Sequence, residues 1–322
     1  MVLWYNLFME KIRYNHLNKF LKDKFGERVL KICVDGGFTC PNRDGKVGYG
    51  GCIFCSEKGS GDHLKSNKTD ENFCITKSIE NQVNNHLNSY RGKRANKFIV
   101  YFQNYTNTYD TAINLKAKYD SALKNEKIIG IDIATRPDCI NEEIANLIGS
   151  YTKKYFVIVE LGLQTANDET GKILNRGYTS KDFEKAVALL KKYNIHIVCH
   201  IMVGLPNETQ KDLIETINFV NRQNIDGIKI HSTYIVKNTK LAEMYYNGEY
   251  KCLTLDEYIK SAIMIIANIR KDIIIHRISG DAPKDLLIAP EWNAHKKWII
   301  NGIEKELNNQ NIFQGANYIC EQ

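Results

Sequence analysis

Cys40, Cys52 and Cys55 share one glycine-rich stretch, with eleven residues between the first two and two between the last pair. Thiolates are soft ligands, so the trio suits zinc or iron–sulfur chemistry. Glycine reaches positive φ at no steric cost, which lets the stretch fold back and bring distant sulfurs together. Three readings follow. With His63 as a fourth ligand the cysteines would close a structural zinc site of Cys3His type. As unliganded core residues they would sit in a loop too polar and glycine-rich to be buried. As ligands of a [4Fe–4S] cluster they would leave one iron open for a reacting molecule, with Phe54 placed to shield it. The other six cysteines are dispersed, and no second cluster is expected.

The elements that must position this stretch read as a βα alternation. Apolar strands are expected at 29–34, 98–103, 128–134, 155–163, 195–203 and 227–231. Helical stretches fall between them at 75–90, 111–124, 141–149, 181–193 and 208–221. Near-continuous apolar strands alternating with helices imply a parallel sheet covered by helices. From about Thr254 the chain reads as a helix, an apolar strand at 272–276, a loop and a closing helix. Pro41, Pro137 and Pro206 follow strand ends, where a βα barrel carries its site.

Polar residues at those strand ends are the remaining candidates. Gln103, Asn104 and Thr106 follow the second strand and offer carbonyl and hydroxyl acceptors, or a helix-capping turn. Arg136, after the third, can clamp a carboxylate or phosphate, or pair with Asp138 at the surface. Glu160 interrupts the apolar fourth strand, which is costly without a partner, so a buried network is one reading. His200 and His231 read as satisfied core histidines or as proton-transfer groups. Arg277, Ser279 and Asp281 form a compact polar cluster suited to substrate recognition.

Composition bounds the class. The chain has 322 residues, 43% hydrophobic and 25% charged, ordinary for a globular protein with a substantial core. No stretch of about 18 apolar residues exists, so no membrane span is expected. No signal peptide is evident, and the cysteines show no disulfide framework; both point to a reducing, cytoplasmic setting. The net charge is +7, from 44 Lys+Arg against 37 Asp+Glu. Much of the excess falls early (Lys11, Arg13, Lys19, Lys22, Lys24, Arg28, Lys31) and again at Arg91, Lys93, Arg94 and Lys97. Such patches attract a polyanion such as RNA, or are simply solvated lysine-rich surface.

The cysteine loop, with Phe54 before the last cysteine, resembles that of radical S-adenosylmethionine (SAM) enzymes. Its long spacing, and Ala134-Thr-Arg-Pro-Asp138, are similar to the Elongator-catalytic-subunit-like branch and the bacterial YtqA/YhcC-type family. The resemblance implies an α/β fold: a partial (β/α)6 radical SAM barrel with a C-terminal α/β extension. It would divide into a basic segment 1–28, the barrel 29–253 with its cluster loop 40–55, and the extension 254–322.

By resemblance Cys40, Cys52 and Cys55 hold a [4Fe–4S] cluster whose open iron chelates SAM. An electron from a reductant such as flavodoxin or ferredoxin cleaves the sulfonium, and the 5′-deoxyadenosyl radical abstracts a substrate hydrogen. Gln103, Asn104 and Thr106 occupy the position of the family's methionine-amine segment, although its glutamate is absent. Glu160 and Gln164 would meet the ribose or methionine end, and Arg176 the carboxylate. Gly204, in Val-Gly-Leu-Pro-Asn-Glu-Thr209, would let the backbone approach the adenine, while Glu208 caps the next helix. The branch further implies a tRNA substrate, with conversion of wobble 5-carboxymethylaminomethyl-(2-thio)uridine to the 5-aminomethyl form. Arg136 or Arg277 would hold the carboxylate that is lost. A radical SAM oxidoreductase for a small metabolite or peptide is the alternative, and a non-catalytic zinc-stabilised RNA-binding protein is the second.

Overall fold

Every strand of the large sheet runs in the same direction, so each return must cross over through a helix. A computed structural model describes residues 12–59, 74–280 and 282–319. Strands β1 (Val29–Val34), β2 (Lys97–Phe102), β3 (Ile128–Thr135), β4 (Phe156–Gln164), β5 (His196–Val203) and β6 (Gly227–Ser232) lie side by side in chain order. A short β7 (Ile235–Val236) follows, then β8 (Ile274–Arg277) and β9 (Leu287–Ala289). β8, from the expected C-terminal extension, pairs parallel with β6 as the seventh strand of the same sheet. β7 and β9 form a separate antiparallel ribbon. The result is a curled, half-barrel parallel sheet with helices on its outer face.

Alternation along each strand sorts residues between the two faces. Leu30, Ile32, Val34, Phe98, Val100, Phe102, Ile131 and Ile133 join the core beneath the helices. The concave face is layered. At its base Val29, Ile99, Ile158 and Val198 form an apolar floor, against which Leu21 packs. Two residues further along the same four strands stand Lys31, Tyr101, Glu160 and His200. Beyond these lie the strand ends and the cysteine loop.

The floor is sealed by the helix Leu17–Phe25, whose apolar residues Leu17, Phe20, Leu21 and Phe25 face it. Phe20 stacks on His196, with ring centroids 5.4 Å apart. This helix carries three lysines of the early basic run, and two of them have partners within the chain. Lys19 pairs with Asp23 at 2.5 Å, and the ammonium of Lys24 lies 5.0 Å from the Phe156 ring. Lys31 points into the barrel.

Candidate active site

The cysteine loop is held by the turn that ends the short helix Asp168–Ile173, the element after β4. Ile53 N donates to Leu174 O at 3.0 Å, and Asn42 Nδ2 to Asn175 O at 2.6 Å. Asn175 Nδ2 in turn donates to Gly51 O at 2.8 Å. Gly51 takes φ +80°, and an added Cβ would meet Arg43 Nε at 2.9 Å. The Arg43 guanidinium crosses the loop and donates to the carbonyls of Cys55 and Ser56 at 3.0 and 2.6 Å. These bonds present Cys40, Cys52 and Cys55 to one cavity of about 760 Å³. Burial, then the neighbouring Cys55, pushes the Cys52 thiol up to about 12. Asn42 Nδ2 lies 3.8 Å from the Cys52 sulfur.

Gln103, Thr106, Arg136, Glu160 and Gln164 line the same cavity. Thr106 is 1% exposed, and its Oγ1 has no hydrogen-bond partner. It is a ready acceptor beside Cys40, since Thr106 N also bonds Thr39 O at 3.2 Å. Arg136 makes a two-pronged pair with Asp138 at 2.9 and 2.8 Å and donates to Arg176 O at 3.0 Å. Arg136 nevertheless forms part of the cavity wall. Gln164 has φ +61°, and Tyr178 Oη lies 2.7 Å from its Oε1.

Three candidates do not reach this wall. Asn104 is buried, with its Oδ1 unpartnered. Arg176 is wholly buried. Its guanidinium donates to Leu163 O, to Thr165 O at 2.7 Å, to Tyr178 O at 3.0 Å and to Asp168 Oδ1 at 2.8 Å. It buttresses the turn that clasps the cysteine loop. Gly204 takes φ +79°, and Leu253 and Tyr250 crowd it; the Tyr250 hydroxyl donates to its carbonyl at 2.6 Å. Glu208 precedes the helix Gln210–Arg222, which Thr209 and Asp212 cap reciprocally. His63 and Asp281 lie outside the described residues.

Beneath the cysteines is a charged layer. Glu160 Oε2 accepts from Lys229 at 2.5 Å, Tyr101 at 2.6 Å and His200 at 2.9 Å. Lys31 reaches Glu160 Oε1 at 3.3 Å and also bonds Asp132. Burial opposes ionisation of Glu160, but Lys229 and Lys31 outweigh it and hold its carboxyl well below the usual range. Burial and then Glu160 push Asp132 up to about 8, while burial brings Lys229 down to about 8. His231 is kept neutral by burial and by His200, at a ring separation of 5.0 Å. The carboxylate thus has the partners that its place in an apolar strand demanded. The same signal, a charge within an apolar strand, stands at Lys31, Asp132 and Lys229. Among the described residues seven cations line the cavity (Lys31, Arg43, Arg91, Arg136, Lys229, Arg277 and Lys296) against one carboxylate, Glu160.

Among the described residues no three metal-ligating side chains converge tightly enough to chelate a single ion. Cys40, Cys52 and Cys55 line one cavity as three soft sulfur donors, a set that suits zinc or an iron–sulfur cluster. The radical SAM superfamily model matches residues 40–220, and a radical SAM C-terminal domain model matches 225–309. The chain belongs to the radical SAM superfamily. Uncharacterized protein YtqA of Bacillus subtilis is 37% identical over 303 residues, covering 94% of this chain and 92% of that protein. Protein YhcC of Escherichia coli is 32% identical over 297 residues, 92% of each. Among solved structures, an N-terminally deleted Elp3 from the archaeon Methanocaldococcus infernus superposes with a TM-score of 0.63 at 17% identity. That match covers 89% of this chain and 64% of that one, and it shows the fold. Radical SAM proteins take a [4Fe–4S] cluster and SAM, and the cysteine triad with its acceptor-lined cavity suits both. The protein is therefore a SAM-dependent iron–sulfur enzyme. Among the described residues no helix is long and apolar enough to cross a membrane.

Proposed function

We propose that this radical SAM enzyme modifies the wobble uridine of tRNA, converting 5-carboxymethylaminomethyl-(2-thio)uridine to the 5-aminomethyl form in the cytoplasm. When bound, the cluster and SAM supply a 5′-deoxyadenosyl radical, with the electron drawn from a flavodoxin or ferredoxin. Cys40, Cys52 and Cys55 are the residues that would hold the cluster. Gln103, Thr106 and Gln164 would orient SAM through their acceptors, and Arg136 would hold its carboxylate. Lys229 and Arg277, deeper in the cavity, would retain the carboxylate of the substrate. The packed floor under Glu160 excludes water from that end.

The observation that carries the reading is the cationic cavity shared by the three cysteines, since the group to be removed bears a carboxylate. The likeness of Ala134-Thr-Arg-Pro-Asp138 to the Elongator-like branch supports the RNA assignment. Mass spectrometry of tRNA nucleosides from cells with and without the gene tests it. Loss of the gene is expected to accumulate the carboxymethylaminomethyl nucleoside, and Cys52→Ala should fail to restore the profile. An unchanged profile would end the tRNA assignment and turn the search to small metabolites.

A further inference from the structure

Two lysines of the cavity wall, Lys31 and Lys229, belong to the charged layer, and they are not equivalent. Burial opposes the charge on Lys31, but Asp132 and Glu160 outweigh it and keep its ammonium protonated. Lys229, on β6, is 4% exposed. Burial brings its ammonium down to about 8 against the pull of Glu160, and the neighbouring Lys31 and Arg277 add to the fall. Its Nζ donates to Glu160 Oε2 at 2.5 Å and to Tyr101 Oη at 3.1 Å, and that hydroxyl donates to the same carboxylate.

A desolvated amine beside other cations, with a hydroxyl and a carboxylate to carry its proton, is the setting in which lysine becomes a nucleophile toward C=O and C=N bonds. The proposed reaction generates such a bond. The substrate side chain carries a secondary amine joined through one carbon to a carboxylate. Loss of a hydrogen atom from that carbon to the deoxyadenosyl radical, and of one electron to the iron–sulfur cluster, leaves an iminium. Its carboxylate, retained by Lys229 and Arg277, is one bond from the iminium carbon, so the group that holds the anion is also placed to attack.

We propose that Lys229 takes the two-carbon unit from the substrate as a Schiff base. The proposal rests on the reading that a carboxymethyl group is removed, and it names the residue that receives it. The neutral amine of Lys229 adds to the iminium carbon. A proton passes from the lysine nitrogen, through Tyr101 and Glu160, to the nucleoside nitrogen. The bond from that nitrogen to the carbon breaks, the 5-aminomethyl nucleoside leaves, and an imine of glyoxylate remains on Lys229. Water admitted after the nucleoside departs hydrolyses the imine to glyoxylate and the free lysine.

The test is reductive trapping. Full-length holoenzyme is incubated without oxygen, at neutral pH, with glyoxylate and cyanoborohydride, and its peptides are mapped by mass spectrometry. The Schiff base is fixed in this way as a carboxymethyl group on the lysine nitrogen. Lys229 should be labelled roughly tenfold faster than exposed lysines, which are almost wholly protonated at that pH. Tyr101→Phe should slow its labelling roughly tenfold. Circular dichroism and the cluster's visible absorbance establish that this variant remains folded. During turnover with SAM and the modified tRNA, the same adduct should appear on Lys229 without added glyoxylate. If glyoxylate labels exposed lysines and Lys229 stays bare, the proposal is overturned, and the nucleoside profile still decides the tRNA reading by itself. Fast labelling of Lys229 with an unchanged nucleoside profile removes tRNA as the source of the unit, and the transfer step falls with it.

Discussion

With Lys229, Lys31, Tyr101 and His200 all bonded to its carboxylate, Glu160 balances two buried ammonium groups at once. Glu160→Gln should therefore destabilise the apoprotein by about 3–5 kcal/mol in urea unfolding at neutral pH. Adding Lys229→Met should recover part of the loss, because a buried charge without a partner is then removed. The pH dependence has a definite sign. The folded pKa of Glu160 lies below its unfolded value, so its stabilisation is complete above the ordinary carboxyl range and fades as pH falls toward the folded value. Glu160→Gln should flatten that acid limb. A charge inside an apolar run announces that a partner exists, and here the sequence was informative. Which partner answers it depends on which strands lie side by side, and that is not local information. Arg176 shows the opposite case. Its type and position suit a ligand carboxylate, but nothing local distinguishes a guanidinium facing a cavity from one turned inward onto Leu163 and Thr165.

At the scale of elements, the helix Leu17–Phe25 and the turn after the helix Asp168–Ile173 support the site from opposite ends. Leu21 is 3% exposed and packs on the apolar floor. Leu21→Ala should cost about 2–4 kcal/mol in denaturant unfolding. The spacing of Leu17, Phe20, Leu21 and Phe25 already marks one apolar helical face, although the lysines between them draw attention to charge. Arg176→Lys would keep the charge but lose the fork that reaches four acceptors. The clasp on the cysteine loop should slacken, so the variant should lose cluster absorbance in air several-fold faster while its far-ultraviolet circular dichroism stays unchanged. Strands β1 to β6 were legible because each is an apolar run bounded by turn residues. β8 was readable as a strand, but its place in the large sheet was not, because joining β6 depends on contacts between distant parts of the chain. The two-residue β7 and its partner β9 are too short to leave a periodic signal.

On the scale of the whole molecule, parallel strands of one pleat direct alternate residues into one concave space, so charges far apart in sequence act together. Asp132 and Lys229, from β3 and β6, both titrate near pH 8, for opposite reasons. Below that pH Asp132 is protonated and Lys229 is charged, and Lys229 and Lys31 together outweigh Glu160 and give the charged layer a net positive charge. As pH rises through about 8, Asp132 gains a negative charge and Lys229 loses a positive one, so both changes repel an anion. Affinity for a carboxylate ligand should therefore fall as pH passes 8. A loss of roughly tenfold is expected, equivalent to about 1.4 kcal/mol. The measurement is the dissociation constant of the carboxymethylaminomethyl-uridine nucleoside across that interval. Lys229→Arg keeps its charge through this interval and should make the fall shallower, leaving only the contribution of Asp132. Lys229→Gln should bind weakly throughout, with a shallower profile. A parent profile that stays level through pH 8 would mean that the anion does not reach this layer, and that its carboxylate is held nearer the cysteines, at Arg136.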